Sequence, residues 1–226
     1  MKGIQKELIN TSMKKSKDLA YYSSLEESMN IISHGFGLLL SVCALVLLII
    51  RSSLYGSSWH IVSFTIFGSS LIILYAASTF YHNAKKEELR KKLNILDHSS
   101  IYVLIAGTYT PFALVTLNGT LGWAIFGITW GLALIGIILK LFYTGKYDKI
   151  STLAYVLMGW IILFGIKTLL NNLPTEGIYW LFSGGIAYTI GAVFYSLKKI
   201  KFNHAIFHLF VLIGSFCHFV SIFFYV

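Results

Sequence analysis

Two histidines, His204 and His208, stand four residues apart in an apolar stretch near the end of the chain. In an α-helix this spacing puts both imidazoles on one face, about 6 Å apart along the axis. Imidazole nitrogens bind zinc at about 2.0–2.1 Å, and zinc usually takes four ligands. The pair therefore indicates a metal site, although two interfacial histidines that hydrogen-bond to their neighbours would show the same spacing.

A third histidine, His82, ends another apolar run. Three histidines are the protein ligands of some catalytic zinc sites, which keep the fourth position open for water. We therefore predict a zinc site made by His82, His204 and His208. This prediction requires the two apolar runs to be neighbours in the folded chain.

Asp97 is the one carboxylate at the start of an apolar run, and ionisable groups in such runs are functional candidates by default. We predict that Asp97 positions or deprotonates the water of the zinc site and that Ser78, one turn before His82, helps to stabilise an oxyanion. Two alternatives stay open. Asp97 could be the N-cap of a helix, and Ser78 could be a small residue that bonds its own backbone or eases packing.

A further polar cluster precedes the first apolar run. Glu27, Asn30 and His34 are spaced by three and four residues, so a helix would place them on one face. They could tie the first helix to the metal site, and a structural role is favoured over ligation. Asn30 or Ser33 could also cap that helix.

The composition shows what kind of elements must position these groups. Of 226 residues, 56% are hydrophobic and 12% are charged, whereas soluble domains carry roughly 25% charged residues. The composition therefore excludes a soluble globular domain, a disordered chain and a nucleic-acid-binding domain. The two cysteines, Cys43 and Cys217, both lie inside apolar runs and are too few for a disulfide framework.

Seven apolar runs have about the 20 residues that a membrane-spanning helix needs. Lipid cannot satisfy open backbone groups, so all seven must be helices. We predict an all-α, polytopic integral membrane protein, with residues 1–30 as an N-terminal segment and residues 31–226 as one seven-helix transmembrane domain. The predicted spans are 31–50, 59–81, 97–117, 121–143, 151–170, 178–197 and 204–226.

Most of the 18 Lys and Arg residues, in a chain of net charge +9, fall before the first run and between runs 2–3, 4–5 and 6–7. The positive-inside rule then places the N-terminus in the cytoplasm and the C-terminus outside. These groups would meet anionic lipid headgroups, so membrane lipids are the expected partners and nucleic acid is not; no oligomeric state follows from the sequence. The clusters are Lys2, Lys6, Lys14, Lys15 and Lys17; Lys85, Lys86, Arg90, Lys91 and Lys92; Lys146 and Lys149; and Lys198, Lys199 and Lys201.

The remaining histidines have simpler interpretations. His98 adjoins Asp97, is expected to point away from it, and should hydrogen-bond at the interface. His218 lies 14 residues after His204 in the last run, and we expect a core histidine with satisfied hydrogen bonds. His60 lies at the outer edge of the second run and needs no special role.

Taken together, these motifs resemble the hemolysin III family, which belongs with the progestin and adipoQ receptors. The resemblance covers residues 26–226 and includes seven spans with the N-terminus inside. Ser100 stands where some relatives have glycine. The motifs are E-x-x-N-x-x-S-H at 27–34, S-x-x-x-H at 78–82, Leu96-Asp97, GTYTPF at 107–112, and HAIFHLFVLIGSFCH at 204–218.

The resemblance implies a zinc ion near the cytoplasmic face, because the adiponectin-receptor relatives carry one whose ligands match His82, His204 and His208. It also implies that Asp97 holds the zinc water and that Ser78 lies nearby. The superfamily includes alkaline ceramidases, so hydrolysis of a lipid amide is the expected activity. The family name comes from a lytic activity attributed to a bacterial member, and the short N-terminal segment is typical of a bacterial protein in the cell membrane.

We therefore expect a zinc-dependent hydrolase of lipid amides. The first alternative is a non-enzymatic sensor or regulator of membrane lipid state, in which zinc ties helices together in a closed four-ligand site. The second is a hemolysin or cytolysin. Physical chemistry argues against a secreted pore former, because seven apolar spans need a membrane from the moment of synthesis.

Overall fold

The computed structural model describes residues 19–20 and 22–226. The N-terminal basic cluster from Lys2 to Lys17 lies outside these residues. The described chain is helical, contains no β-strand, and has seven helices long and apolar enough to cross a membrane, which confirms the predicted fold class. The helices are α1 (Ser24–Tyr55), α2 (Ser58–Asn83), α3 (Glu87–Pro111, continued by a π-helical stretch Phe112–Leu117), α4 (Gly119–Tyr143), α5 (Asp148–Gly159, then 3₁₀ Ile161–Gly165, then Ile166–Asn172), α6 (Thr175–Ser196) and α7 (Asn203–Tyr225).

Two helices begin earlier than the apolar runs that predicted them. The side chain of Ser23 caps α1 by accepting a hydrogen bond from the backbone N–H of Glu26 at 3.2 Å, so the prediction of Asn30 or Ser33 as the cap is wrong. The predicted boundary at residue 31 marks the start of the apolar run and not the start of the helix. Similarly, α3 begins at Glu87, which excludes the interpretation of Asp97 as an N-cap.

The helices surround an internal space that only some of them line. Along the chain, α1 packs on α2 and α2 on α3, while α7 packs on α6 and closes back onto α1. The third span is the most deeply buried of the seven, and α4 covers its outer side. Large apolar side chains on α1, α4 and α5 point outward, as lipid-facing surfaces should.

Helix α5 is interrupted near its middle, and Tyr109 of α3 satisfies the backbone groups that the interruption leaves open. The Tyr109 hydroxyl donates to the Gly159 carbonyl at 2.7 Å and accepts from the Ile162 N–H at 2.9 Å. In a lipid environment each unsatisfied backbone group is costly. The tyrosine of the GTYTPF motif therefore stabilises a break in a neighbouring helix.

The polar residues singled out in the sequence gather at one end of the bundle, which we call the histidine end. It comprises the last turn of α2, which carries His82, and the first two turns of α7, which carry His204 and His208. The start of α1 lies at this end as well, since Glu27 contacts His82. The antiparallel succession of helices therefore brings together residues that are more than 120 positions apart in the chain.

The predicted orientation can be checked with reporter fusions. With seven spans, the C-terminal end of α7 lies opposite the histidine end, and the positive-inside rule puts that end outside. We expect alkaline phosphatase fused after Val226 to be active in a bacterial host, whereas a fusion after Lys86, between α2 and α3, should be inactive. The opposite pattern of activities would show that the histidine end faces outward.

Candidate metal centre

Three imidazoles meet at the histidine end. The Nε2 atom of His204 lies 3.1 Å from Nε2 of His82 and 3.1 Å from Nε2 of His208, and the possible ligand atoms of all three lie within 4.8 Å of one another. A tetrahedral ion with bonds of about 2.0–2.1 Å places its ligand nitrogens roughly 3.3 Å apart. The three side chains are at most 5% exposed. They could therefore hold a metal ion, as the sequence predicted.

The chemistry of the donor atoms also fits a cation. Glu27 Oε2 lies 2.7 Å from Nδ1 of His82, and a carboxylate there accepts the Nδ1–H, which leaves the lone pair of His82 on Nε2. Nε2 of His204 contacts two other Nε2 atoms, but one hydrogen could serve only one of these contacts. A shared cation would satisfy all three lone pairs at once.

The predicted supporting residues surround the three ligand candidates. The amide nitrogen of Asn30 lies 3.4 Å from Nδ1 of His82. The His34 ring stacks on the His208 ring, with centroids 3.5 Å apart and planes within 7°. Glu27 and His34 therefore tie α1 to α2 and α7, whereas Asn30 packs beside His82, because a hydrogen on Nδ1 leaves no lone pair there for the amide N–H to bond.

Arg90 lies beside the candidate metal centre, although its place in a basic cluster predicts a residue of the connection between runs 2 and 3. It lies within α3, is buried, and forms an ion pair with Glu27. Its guanidinium also donates to the carbonyls of Tyr81 and His82 at 3.4 Å. Arg90 therefore holds both the carboxylate that contacts His82 and the end of α2 that carries this histidine.

The sequence contained a signal for this position. Arg90, Asn94 and Asp97 are spaced by four and three residues, which puts them on one face of a helix. The signal was hidden because the basic cluster around Arg90 resembles an ordinary cytoplasmic loop.

Arg90 should contribute more to stability than its neighbour Lys91. Removing one partner of a buried ion pair leaves an uncompensated charge, so we expect Arg90→Gln to lower the free energy of unfolding by about 3 kcal/mol. Lys91 forms an exposed pair with Glu87 at 2.8 Å, and Lys91→Gln should cost less than about 1 kcal/mol. Unfolding in mixed micelles measures both. Equal effects of the two substitutions would contradict the structural role given to Arg90.

A short segment before α1 covers one side of the centre. The Tyr22 ring stacks on the His204 ring, with centroids 4.6 Å apart and planes at 20°. Burial raises the pKa of the Tyr22 hydroxyl well above its usual range, so this residue stays neutral at physiological pH. The Ala20 carbonyl accepts a hydrogen bond from Arg90 at 3.3 Å. The sequence does not predict this contact of Tyr22, because a polar segment without periodicity does not show where it packs.

A cavity of about 150 Å³ opens beside the histidines. Its walls include His204 and His208, and also the predicted residues Asp97 and Ser78. The Ser78 hydroxyl is buried, and Ser78 is 1% exposed. His98, which we expected to point away from Asp97, lines the same cavity. The structure therefore brings two of the three metal-binding candidates, His204 and His208, to one space with Asp97 and Ser78.

Beyond these polar groups the cavity is mostly apolar. Its walls come from α2, α3, α5, α6 and α7, with His34 of α1, and along α7 they reach from His204 to His218, a rise of about 21 Å. Such a space favours a hydrocarbon chain over water. The side chains include Leu74, Ile101, Leu104, Ile105, Phe112 and Val211.

Comparison with known proteins agrees with the resemblance seen in the sequence. The family model described as "Haemolysin-III related" matches residues 22–219. The chain is 49% identical to Hemolysin-3 of Bacillus cereus, over 89% of this chain and 92% of that protein. It is 50% identical to the Hemolysin-3 homolog of Bacillus subtilis (strain 168), over 88% of this chain and 94% of that protein.

A human protein is similar as well. The Monocyte to macrophage differentiation factor of Homo sapiens is 31% identical, over 87% of this chain and 83% of that protein. The family-model match, residues 22–219, reaches into all seven helices and spans the positions of the three histidines of the candidate metal centre. The chain therefore belongs to the haemolysin-III-related family of integral membrane proteins.

Proposed function

We propose that the protein is a zinc-dependent hydrolase that cleaves an amide bond in a membrane lipid. One observation carries this proposal: His204 and His208, two of the three metal-binding candidates, line the same apolar cavity as Asp97 and Ser78. A metal ion held by the three histidines would thus face a space that suits hydrocarbon. The carboxyl and hydroxyl groups needed for acid–base work and oxyanion binding stand in the wall of that space.

Zinc is the metal that this donor set suits best. Three neutral imidazoles are the ligands of well-known catalytic zinc sites, which leave one position for water. Magnesium and calcium prefer sites made of carboxylate, carbonyl and water oxygens, whereas the three ligand candidates here offer nitrogen atoms. When bound, zinc supplies a Lewis acid that polarises a carbonyl and lowers the pKa of water toward about 7.

The residues of the chain then have separate tasks in the hydrolysis. Asp97 accepts a proton from the attacking water, whose oxygen forms a bond to the amide carbon. The Ser78 hydroxyl donates to the oxygen that gains negative charge. The C–N bond then breaks, the amine leaves with the proton that Asp97 returns, and the other product is the free acid.

The Glu27 carboxylate is proposed to orient the His82 ring by accepting a hydrogen bond from the Nδ1–H of that ring. Groups that hold a metal-ligating histidine in this way typically contribute 10–100-fold to metal affinity. We expect Glu27→Gln to weaken zinc binding by about that factor and to leave the helical content unchanged. Competition of the purified protein with a chromogenic chelator measures the affinity.

A matched control for Glu27→Gln is Glu88→Gln, which changes an exposed carboxylate in the first turn of α3. This control should keep the zinc affinity of the wild type. If Glu27→Gln also binds zinc with the affinity of the wild type, the Glu27 carboxylate does not orient His82.

The substrate is proposed to be a ceramide-like lipid of the bacterial cell membrane. The apolar cavity supports a lipid chain, and the resemblance to a superfamily with alkaline ceramidases supports an amide. The basic connections support a cytoplasmic position for the histidine end. Two relatives are named Hemolysin-3 or its homolog; lysis by this chain would follow from altered membrane lipids, since seven spans do not suit a secreted pore former.

A screen for turnover tests this proposal. Purified protein in lipid micelles is incubated with ceramides and related N-acyl lipids, and mass spectrometry follows the released fatty acid and amine. We expect release by the wild type and none by a variant with all three histidines changed to alanine. The absence of release from every amide by a zinc-loaded wild type would overturn the hydrolase.

The second candidate function is a regulator in which zinc is structural. It is favoured by one observation, the cover over His204 by the stacked Tyr22 ring, because structural zinc sites are closed. In a regulator, zinc removal should loosen the contact between α1, α2 and α7, and no lipid turnover should be seen with or without zinc. The turnover screen therefore separates the two candidates.

A further inference from the structure

Another buried histidine lines the cavity far from the metal centre. His218 of α7 is 5% exposed, and no described residue provides a hydrogen-bond partner for its Nδ1 atom. The expectation of a core histidine with satisfied hydrogen bonds is therefore wrong. An unsatisfied imidazole within a membrane span is costly, so an interaction with something in the cavity would explain its presence.

A glycine of α6, Gly184, leaves room for the His218 ring between α6 and α7. A Cβ atom on Gly184 would lie 2.7 Å from Cε1 and Nε2 of His218, closer than real contacts allow. Only glycine lets α6 approach α7 here while the imidazole stays between them. The ring is thus held in one place at the wall of the cavity, and its position is built by two helices.

A chain of hydroxyl groups reaches the same place. The Tyr75 hydroxyl donates to Ser215 Oγ at 2.8 Å, and Ser215 Oγ lies 2.9 Å from the Tyr188 hydroxyl. If Ser215 donates its own hydrogen to Tyr188, then the hydrogen of Tyr188 is left for another acceptor. The Tyr188 ring lies 5.2 Å from the His218 ring, and both residues line the cavity.

We propose that Tyr188 and His218 form a second binding site, which takes an uncharged hydroxyl group carried partway along the hydrocarbon chain of a bound lipid. The hydroxyl accepts the hydrogen of Tyr188 and donates its own to a ring nitrogen of His218. A charged group would not suit this site, because its desolvation in an apolar cavity is far more costly.

The site would select one position along the lipid chain. His218 lies ten residues beyond His208, which is an axial distance of about 15 Å along α7. An extended hydrocarbon chain of roughly twelve carbons spans the same distance. The inference rests on the proposed function only in placing the carboxyl or amide end of the lipid at the metal centre. It thus names the lipid class as one with a mid-chain hydroxyl.

Competition binding with three fatty acids tests the site. The purified full-length protein is loaded with a fluorescent fatty acid, which is displaced by octadecanoic, 12-hydroxyoctadecanoic or 2-hydroxyoctadecanoic acid. We expect the 12-hydroxy acid to bind about tenfold more tightly than the unsubstituted acid, as one or two added hydrogen bonds allow. The 2-hydroxy acid should show no gain that depends on His218, because its hydroxyl stays at the histidine end.

Variants assign the preference to the two side chains. His218→Leu should abolish the preference for the 12-hydroxy acid and keep the affinity for octadecanoic acid, and Tyr188→Phe should reduce the preference several-fold. His60→Leu, which changes a histidine outside the cavity, should keep it. If His218→Leu does not fold, His218→Gln retains hydrogen bonding and should keep part of the preference.

Equal wild-type affinities for the hydroxylated and plain acids would overturn the inference, as would a preference that survives in both His218→Leu and Tyr188→Phe. The proposed function can fail independently, because these acids contain no amide bond. A hydroxyl preference without amide hydrolysis would refute only the hydrolase. Amide hydrolysis without a hydroxyl preference would refute only the second site.

Discussion

Replacing Asp97 by asparagine is expected to lower the rate of lipid-amide hydrolysis by about 10²–10⁴-fold, the range typical of a lost general base. The zinc content and the melting temperature should stay close to those of the wild type. The reason is that Asp97 lines the cavity beside the metal centre but is not one of its three clustered ligand candidates. Asparagine keeps the size and some hydrogen bonding and removes the proton acceptor.

Zinc content, melting temperature and turnover should be measured on the same preparations. Glu87→Gln is a matched control, because Glu87 is a carboxylate on the same helix that pairs with Lys91 at the surface. This control should retain the wild-type rate. An Asp97→Asn protein that hydrolyses as fast as the wild type would refute the role of Asp97 as the base.

Replacing His208 by alanine is expected to remove most of the bound zinc, from about one ion per chain to a small fraction of that. His208 supplies one of three convergent nitrogens, and zinc sites need three or four protein ligands to bind tightly. The melting temperature should fall as well, because the His208 ring also packs on His34. Elemental analysis of the purified protein measures the zinc.

His60→Ala is the control for this loss, since His60 lies on α2 but outside the cavity and hydrogen-bonds near the C-terminus. It should keep the full zinc content. Should His208→Ala prove unstable, His208→Gln preserves much of the side-chain volume and is expected to lose the same zinc. Equal zinc in the wild type and in the variant lacking all three histidines would exclude the proposed site.

The sequence predicted the spans well because membrane helices depend on length and hydropathy. The backbone must be satisfied within each span, so an apolar run of the right length has one structural solution. The convergence of His82 with His204 and His208 could also be predicted, since alternating span direction puts the end of α2 and the start of α7 at one end of the bundle. Spacing then placed two imidazoles on the same helix face.

Other features depend on contacts between distant segments and left weaker signals in the sequence. Arg90 looked like a loop cation, because the hydrophobic pattern does not show that α3 extends ten residues before Asp97. Tyr22 precedes any periodic segment, so its stacking on His204 could not be predicted. We expected His218 to form satisfied hydrogen bonds, since a sequence does not show that the described side chains around this residue leave its Nδ1 atom without a partner.

Arg90 and Tyr22 share a physical role in the structure. Arg90 pairs with Glu27, which contacts His82, and Tyr22 packs on His204. Each of these residues therefore positions a metal-binding candidate from a different segment of the chain. A site assembled from several helices needs such contacts, because each helix end alone would leave its histidine free to change rotamer.

Removal and return of zinc tests the central claim most directly. Wild-type protein is stripped with a chelator, assayed on ceramide in lipid micelles, and assayed again after the addition of one equivalent of zinc. We expect turnover to disappear with the metal and to return with the single equivalent, while the Asp97→Asn protein takes up the same zinc and remains nearly inactive. Ceramide hydrolysis that continues at the wild-type rate after complete removal of zinc would contradict the account.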